Sequence, residues 1–259
     1  MGDSENRRLL KLLSDWRISD EPPAALLSAL GRNRLEVRPV KLTRAYVRTL
    51  GFAPATVFDI GVHRGTSWLY SSFPEARLVL IDPMPRPDHL DKLLGDRANV
   101  EYLQCAAGAE KGSVTMHTPV LEGVGLRAAR TAMGVPIDTQ KKIAEVKSFE
   151  AEVIRLDDLV ARYPDRPYGL KIDTEGFEYG VIEGAAEFLK HCEFVIVETT
   201  VKRRFAGQKP FSAFIALMAQ NGFEAMETLT DFDRHRPATD IVYVRADSPL
   251  LSNEDQDRP

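Results

Sequence analysis

Apolar positions from residue 54 onward fall into short runs separated by stretches with helical spacing, the pattern of an α/β chain whose parallel sheet is covered on both faces. The runs predict strands at Thr56–Ile60, Arg77–Ile81, Val100–Cys105, Tyr168–Ile172 and Phe194–Val197. Ser113–His117 reads as a short extra strand and Glu152–Leu156 as another, with a short helix from Asp157. Val181, Ile182, Ala185, Phe188 and Leu189 recur at the spacing of one helix face. A further helix runs from Pro210 to Asn221 and stops at Gly222. Phe223–Leu229 and Asp240–Val244 close the pattern as a strand pair.

The first 50 residues have a different period. Leu9, Leu10, Leu12 and Leu13 make one apolar helix face, Pro22 opens a second helix that Gly31 closes, and a third spans Val40 to Leu50 before Gly51. A lid, a packing layer and a dimer surface all fit these helices. Residues 118–148 interrupt the alternation with Gly123, Gly125, Gly134 and Pro136 around a polar helix-like stretch. Such an excursion is a substrate loop or a plain surface insertion. The tail beyond Asp247 is polar. The expected organisation is a helical extension over 1–50, one α/β domain over 51–247 and a polar tail over 248–259.

Composition narrows the class. With 259 residues, 44% of them hydrophobic and 28% charged, the chain can build one large domain with a proper core. A net charge of -4 argues against a nucleic-acid binder, which would show a clustered basic surface. No apolar run reaches membrane-spanning length, and the N-terminus lacks the uninterrupted apolar core of a secretory signal. Cys105 and Cys192 lie in strand-like surroundings without zinc-site spacing, as expected of free thiols in a reducing cytoplasm. The expected partner is a small molecule, with a homodimer through the N-terminal helices left open.

Candidate chemistry begins where the first strand ends. Asp59-Ile60-Gly61-Val62-His63-Arg64-Gly65 lets the backbone turn sharply and approach a ligand at the carboxyl edge of the sheet. Asp82 ends the second strand, 23 residues after Asp59, and can accept hydrogen bonds from both hydroxyls of an adenosine ribose. A dinucleotide site wants G-x-G-x-x-G, whereas this loop is D-x-G-x-x-x-G. A carboxylate at Asp59 repels a pyrophosphate and suits the ammonium and sulfonium charges of S-adenosylmethionine. The cofactor set is Asp59, Gly61, His63, Gly65 and Thr66 from the first loop, Asp82, Pro83 and Met84 from the second, Ala106 after the third strand, and Asp173.

Leu170-Lys171-Ile172-Asp173-Thr174-Glu175-Gly176-Phe177-Glu178 puts three carboxylates within six residues at another strand end. Like charges so close are costly unless something binds them, which makes Asp173, Glu175 and Glu178 the candidate catalytic group. The plainer alternative is that Asp173 caps a helix while the glutamates complement its dipole. A hydroxyl that attacks an electrophile must lose its proton as the new bond forms. Asp173 with a raised pKa is therefore the first choice of base, with Glu175 and Glu178 as supports or acceptor ligands. A divalent cation on these carboxylates ranks below a site without metal.

These segments resemble the FkbM family of S-adenosylmethionine-dependent methyltransferases. The resemblance rests on Asp59-Ile60-Gly61 with Gly65, on Asp82-Pro83, on Leu156-Asp157-Asp158-Leu159, and on Lys171 through Glu178 followed by Gly184-Ala185, in the family's order over residues 55–200. His63 stands where the family usually has Asn, and Asp82 where it usually has Glu, which preserves the carboxylate. The resemblance implies a Rossmann-like class I methyltransferase fold: a seven-stranded, mostly parallel sheet with an antiparallel last strand, here preceded by helices. It also implies O-methylation of a sugar or a secondary metabolite.

Other positions carry less. His63 is a contact of the cofactor or acceptor, or else a surface residue. Lys202, Arg203, Arg204 and Lys209 hold an anionic acceptor group or form a solvated charge run, the commoner fate. Trp68 and Tyr70 cover the cofactor or pack on the sheet. Glu198 ends a strand on the crevice side, a second-rank acceptor contact. The rival functions are a nicotinamide-dependent oxidoreductase, disfavoured by the glycine spacing and by Asp59, and a non-catalytic binding module, disfavoured by the carboxylates at Asp59, Asp82 and Asp173.

Overall fold

The computed structural model describes residues 24–32, 40–121, 125–126, 131–133, 143–230 and 238–252. The expected helix around Leu9–Leu13, and Gly123, Gly134 and Pro136 of the excursion, lie outside the described residues. The chain forms two compact units, Met1–Val40 and Lys41–Pro259. In the first, helix α1 (Ala24–Arg32) buries Leu26, Ala29 and Leu30, three positions on one face. No helix among the described residues is long and apolar enough to cross a membrane.

The second unit begins before residue 50. Helix α2 (Arg44–Thr49) starts where extended Thr43 accepts a hydrogen bond from the Tyr46 N–H at 3.2 Å, so the expected helix loses its first turn. Lys41 and Tyr46 both donate to the Glu227 carboxylate, at 2.7 and 2.6 Å, which ties this stretch to the end of the sheet. The second compact unit accordingly takes in Lys41 and α2.

In chain order there follow β1 (Thr56–Ile60), α3 (Ser67–Ser72), β2 (Arg77–Ile81), α4 (His89–Leu94), β3 (Val100–Leu103), β4 (Ala106–Ala107), β5 (Gly112–Leu121), β6 (Gly125–Leu126) and β7 (Ile143–Ile154). After a 3-10 turn at Leu156–Leu159 come β8 (Tyr168–Ile172), α5 (Glu178–Glu183), α6 (Ala186–Leu189), β9 (Cys192–Thr200), α7 (Phe211–Gln220), β10 (Phe223–Thr228) and β11 (Ala238–Arg245). Seven strands form one sheet in the order β10-β11-β9-β8-β1-β2-β3, and β11 alone runs antiparallel to its neighbours. This is the expected class I topology. The strand order reverses at β1, whose partners are β2 on one side and β8 on the other. Crevices form at such a point.

Both faces of the sheet are covered, which is why its strands read as continuous apolar runs. Phe58, Ile60, Leu170 and Ile172 share one core with Val181, Phe188 and Met218 of the helices α5–α7. Val57, Leu78, Leu80 and Ile196 share the other with Val47, Leu69 and Leu90 of α2–α4. The Leu156–Leu159 motif belongs to the scaffold: Asp157 caps α6, its Oδ1 accepting from the Glu187 and Phe188 N–H groups at 2.8 and 2.9 Å.

Several boundaries depart from the sequence pattern. The third strand ends at Leu103, because the chain leaves the main sheet there and enters a second one, ordered β4-β7-β5-β6. The expected short strand Ser113–His117 lies in the first part of a ten-residue strand, and the expected Glu152–Leu156 covers the end of a twelve-residue one, which stops at Ile154 before the 3-10 turn that takes Leu156. These two pair antiparallel from Gly112↔Val153 to Leu121↔Ile143, so the excursion is in part a long hairpin. Past β11 the Ser248 hydroxyl caps a turn at Pro249–Leu251.

Candidate active site

At the carboxyl edge of the main sheet, around the reversal point, lies a cavity with about 850 Å³ of free space, part of it open to solvent. The loop after β1 supplies Gly61 and His63, the loop after β2 supplies Asp82 and Pro83, and the segment after β8 supplies Asp173, Thr174, Glu175 and Phe177. Cys105, Ala106 and Ala107 form the side towards the second sheet, with Val114 and Met116 of β5. Gly61 lets the loop after β1 lie against the segment after β8. Its φ is +84°, and a Cβ there would overlap the Asp173 carbonyl oxygen.

Asp82 is 7% exposed and pre-set as an acceptor. Its Oδ2 accepts from the His63 N–H and its Oδ1 from the Met84 N–H, both at 2.9 Å. A carboxylate offers about four lone-pair sites, so each oxygen keeps one for a ligand hydroxyl. His63 takes a φ of +43° to aim its N–H at Asp82 and still lines the cavity. Met84 takes part through its backbone: its carbonyl accepts from the Tyr102 hydroxyl at 2.8 Å.

Asp59 does not line the cavity. It lies on β1 with its side chain on the face covered by α3, one position short of the carboxyl edge, and is completely buried. Its Oδ2 accepts from the Thr66 and Tyr70 hydroxyls at 2.8 and 2.5 Å, while Oδ1 has no partner. Burial pushes its carboxyl up, against the opposing pull of Lys171 and of those two hydroxyls. Gly65 and Thr66 likewise lie outside the cavity lining, and Tyr70 packs on the sheet as the plainer alternative had it.

The acid group differs in membership from the expected one. Glu178 is 6% exposed and turned into its own loop, where its Oε1 accepts from the Thr174 N–H, the Thr174 hydroxyl and the Gly176 N–H at 3.0, 3.1 and 2.9 Å. It shapes the loop and does not face the cavity. The close group is Asp173, Glu175 and Glu198, with carboxylate oxygens within 4.8 Å of one another. Buried Lys171 donates to Asp173 Oδ2 at 3.1 Å, and Arg204 to Glu175 Oε2 at 2.7 Å. Burial opposes the Lys171 ammonium, but the charges of Asp173, Asp59 and Asp240 outweigh it.

The proton-holding carboxyl is also a different one. Burial raises Asp173, but Lys171 and a hydrogen bond from Glu198 outweigh it and leave its carboxyl below the usual range, contrary to the raised pKa expected of it. Glu198 is pushed up to about 9, first by burial and then by the charge of Asp173. Of the basic run, Arg204 is committed to Glu175, Lys209 lies over the Tyr179 ring, and Lys202 and Arg203 are exposed. Val114 and Met116 reach the cavity without any sign of it in the sequence. Their alternation with Ser113, Thr115 and His117 shows a strand but not where its inner face lands.

A family model described as Methyltransferase FkbM domain matches residues 59–225. No curated protein matches the chain. Among solved structures, the FkbM methyltransferase of Methylobacillus flagellatus KT is 15% identical at a TM-score of 0.47, covering 93% of this chain and 59% of that one. The chain thus spans less than two thirds of that protein. Magnesium protoporphyrin IX methyltransferase of Synechocystis PCC 6803, with bound S-adenosylmethionine, is 11% identical at a TM-score of 0.43, over 94% of this chain and 92% of that one. The 1,6-didemethyltoxoflavin-N1-methyltransferase of Burkholderia thailandensis, with S-adenosylhomocysteine, is 12% identical at 0.42, over 95% and 91%.

Proposed function

The chain belongs to the Methyltransferase FkbM domain family, and from that premise we propose that it transfers a methyl group from S-adenosylmethionine to a hydroxyl of a small molecule, a sugar or a secondary metabolite. The observation that carries this reading is the placement of Asp82 and Asp173 on opposite loops of one cavity, at the point where the strand order reverses. One is an acceptor with its backbone donors already in place. The other is a carboxylate held ionised beside a buried lysine.

The residues fit the cofactor. Asp82 would take the ribose hydroxyls, Pro83 and Ala106 the flat apolar surface of the base, and the excess of carboxylates on the Asp173 side the positive end. Bound there, S-adenosylmethionine supplies a methyl group already activated by its sulfonium charge. Positioning does most of the remaining work, and the protein's part is to hold the acceptor oxygen in line. Asp173 has one oxygen tied to Lys171, which leaves it an ionised carboxylate able to take the acceptor's proton. The buried thiols of Cys105 and Cys192 support a reducing, cytoplasmic setting.

Mass spectrometry of the freshly purified protein under native conditions tests the assignment. Co-purified S-adenosylmethionine or S-adenosylhomocysteine is the expected result. A protein carrying NAD and neither of these would overturn it.

A further inference from the structure

Asp173 and Glu198 stand side by side for a reason of register. β8 and β9 run parallel with Ile172 opposite Val197, so the next residue on each chain brings a carboxyl to the same place at the sheet edge. Across the following antiparallel pair Glu198 faces Asp240, so three adjacent strands each bring one acid to the row. Glu175 reaches in from the loop after β8. Against these acids the fold sets Lys171, which answers Asp173, Asp59 and Asp240, and Arg204, which answers Glu175. His63 also acts on Asp173 from the β1 side. What acts on Glu198 is burial and the charges of Asp173, Asp240 and Glu175, all opposing its ionisation.

Two carboxyl groups within hydrogen-bond reach of each other can form that bond only if one of them carries a proton. We propose that Asp173 and Glu198 share one proton, with the Glu198 hydroxyl donating to the Asp173 carboxylate, and that Glu198 is thereby the positioning residue of the candidate base. The pair then carries one negative charge in place of two. Lys171 and Glu198 between them hold the Asp173 carboxylate from two sides, which fixes its orientation without a metal. Because such groups titrate as a unit, the charge presented to the cavity changes when Glu198 ionises.

This inference rests on the proposed cofactor only in its second test. The first uses cofactor-free protein with carbon-13 in the glutamate carboxyls. One glutamate should titrate near pH 9 in the wild type and vanish from the spectrum in Glu198→Gln, which keeps a donor but cannot ionise. In Asp173→Asn the same signal should move down by more than one pH unit. A high-pH glutamate that persists in Glu198→Gln, or one indifferent to Asp173→Asn, would overturn the pair. The second test compares affinity for S-adenosylmethionine with that for S-adenosylhomocysteine, which lacks the sulfonium charge, from pH 7 to 10. The ratio should rise on the order of tenfold in the wild type and stay flat in Glu198→Gln. A rise in both proteins would overturn the pair as the source of the charge. Failure of the wild type to bind either ligand would strike the cofactor reading, while a Glu198 midpoint near 9 would still uphold the pair.

Discussion

At the scale of the residue, Asp82 is a carboxylate whose backbone partners are set before any ligand arrives, so its loss should register mainly in binding. Hydrogen bonds to charged acceptors contribute roughly 1.5–3 kcal/mol each, which is about ten- to a hundredfold in affinity per bond. Asp82→Ala should weaken S-adenosylhomocysteine binding by at least that factor in calorimetry, and Asp82→Glu, which keeps the carboxylate, should lose less. Equal affinity for Asp82→Ala and wild type would remove Asp82 from the site. Glu198 gives a prediction about stability. Its folded pKa, about 9, lies above the usual 4.5, so the folded state holds a proton that the unfolded chain has released. The stabilisation from that proton is complete below pH 4.5 and is lost as pH rises towards 9. Denaturant titrations should show Glu198→Gln gaining on the wild type steadily across that range; a constant difference would contradict it. Asp82 was legible in the sequence because a strand end fixes where its carboxylate points. The place of Asp59 was less legible, because strand alternation turns its side chain under α3 and one sequence cannot show which face a helix covers.

At the scale of the element, two motifs of the family turn out to be joints of the scaffold. The Asp157 carboxylate accepts the N–H groups of Glu187 and Phe188 and also pairs with Arg155 at 2.6 Å. Asp157→Ala should cost about 0.5–2 kcal/mol in denaturant titrations, the usual size of a lost helix cap, and Asp157→Asn well under that. Equal losses would shift the contribution from the cap to the Arg155 ion pair. Gly184 sits where a Cβ would overlap the Gly108 carbonyl oxygen, linking the end of α5 to the chain after β4. The central strands β1, β2, β8 and β9 are legible because burial on both faces makes them mostly apolar. The β5–β7 hairpin is legible only at its open end, where Met116, Ala151 and Val153 are buried. The residues from Ala144 to Ser148 are exposed, and Glu145, Lys147 and Ser148 among them give no strand-like alternation of apolar and polar positions. Backbone pairing to β5 alone keeps that part of β7 extended.

At the scale of the whole molecule, the cavity is where separate parts of one compact unit meet. Residues from the ends of β1, β2 and β8 and from β5 of the second sheet all line it, so a ligand there joins elements of both sheets that must come apart on unfolding. Ligand binding to the folded state alone adds about 2.7 kcal/mol at a hundred times the dissociation constant. For a unit of this size 1 kcal/mol is worth roughly 2–4 °C. Saturating S-adenosylhomocysteine should therefore raise the melting temperature by about 5–10 °C, and NAD at the same concentration should leave it unchanged. Two variants separate the site from its frame. Asp82→Ala should lose most of the shift at fixed ligand concentration while melting near the wild-type temperature without ligand. Asp157→Ala should start from a lower melting temperature and keep the full shift, because the cap it removes lies away from the cavity lining. Should both variants lose the shift in proportion to their stability, the ligand would be reading general foldedness and not this cavity. A shift from NAD equal to that from S-adenosylhomocysteine would return the oxidoreductase reading to contention, whatever the family of the chain.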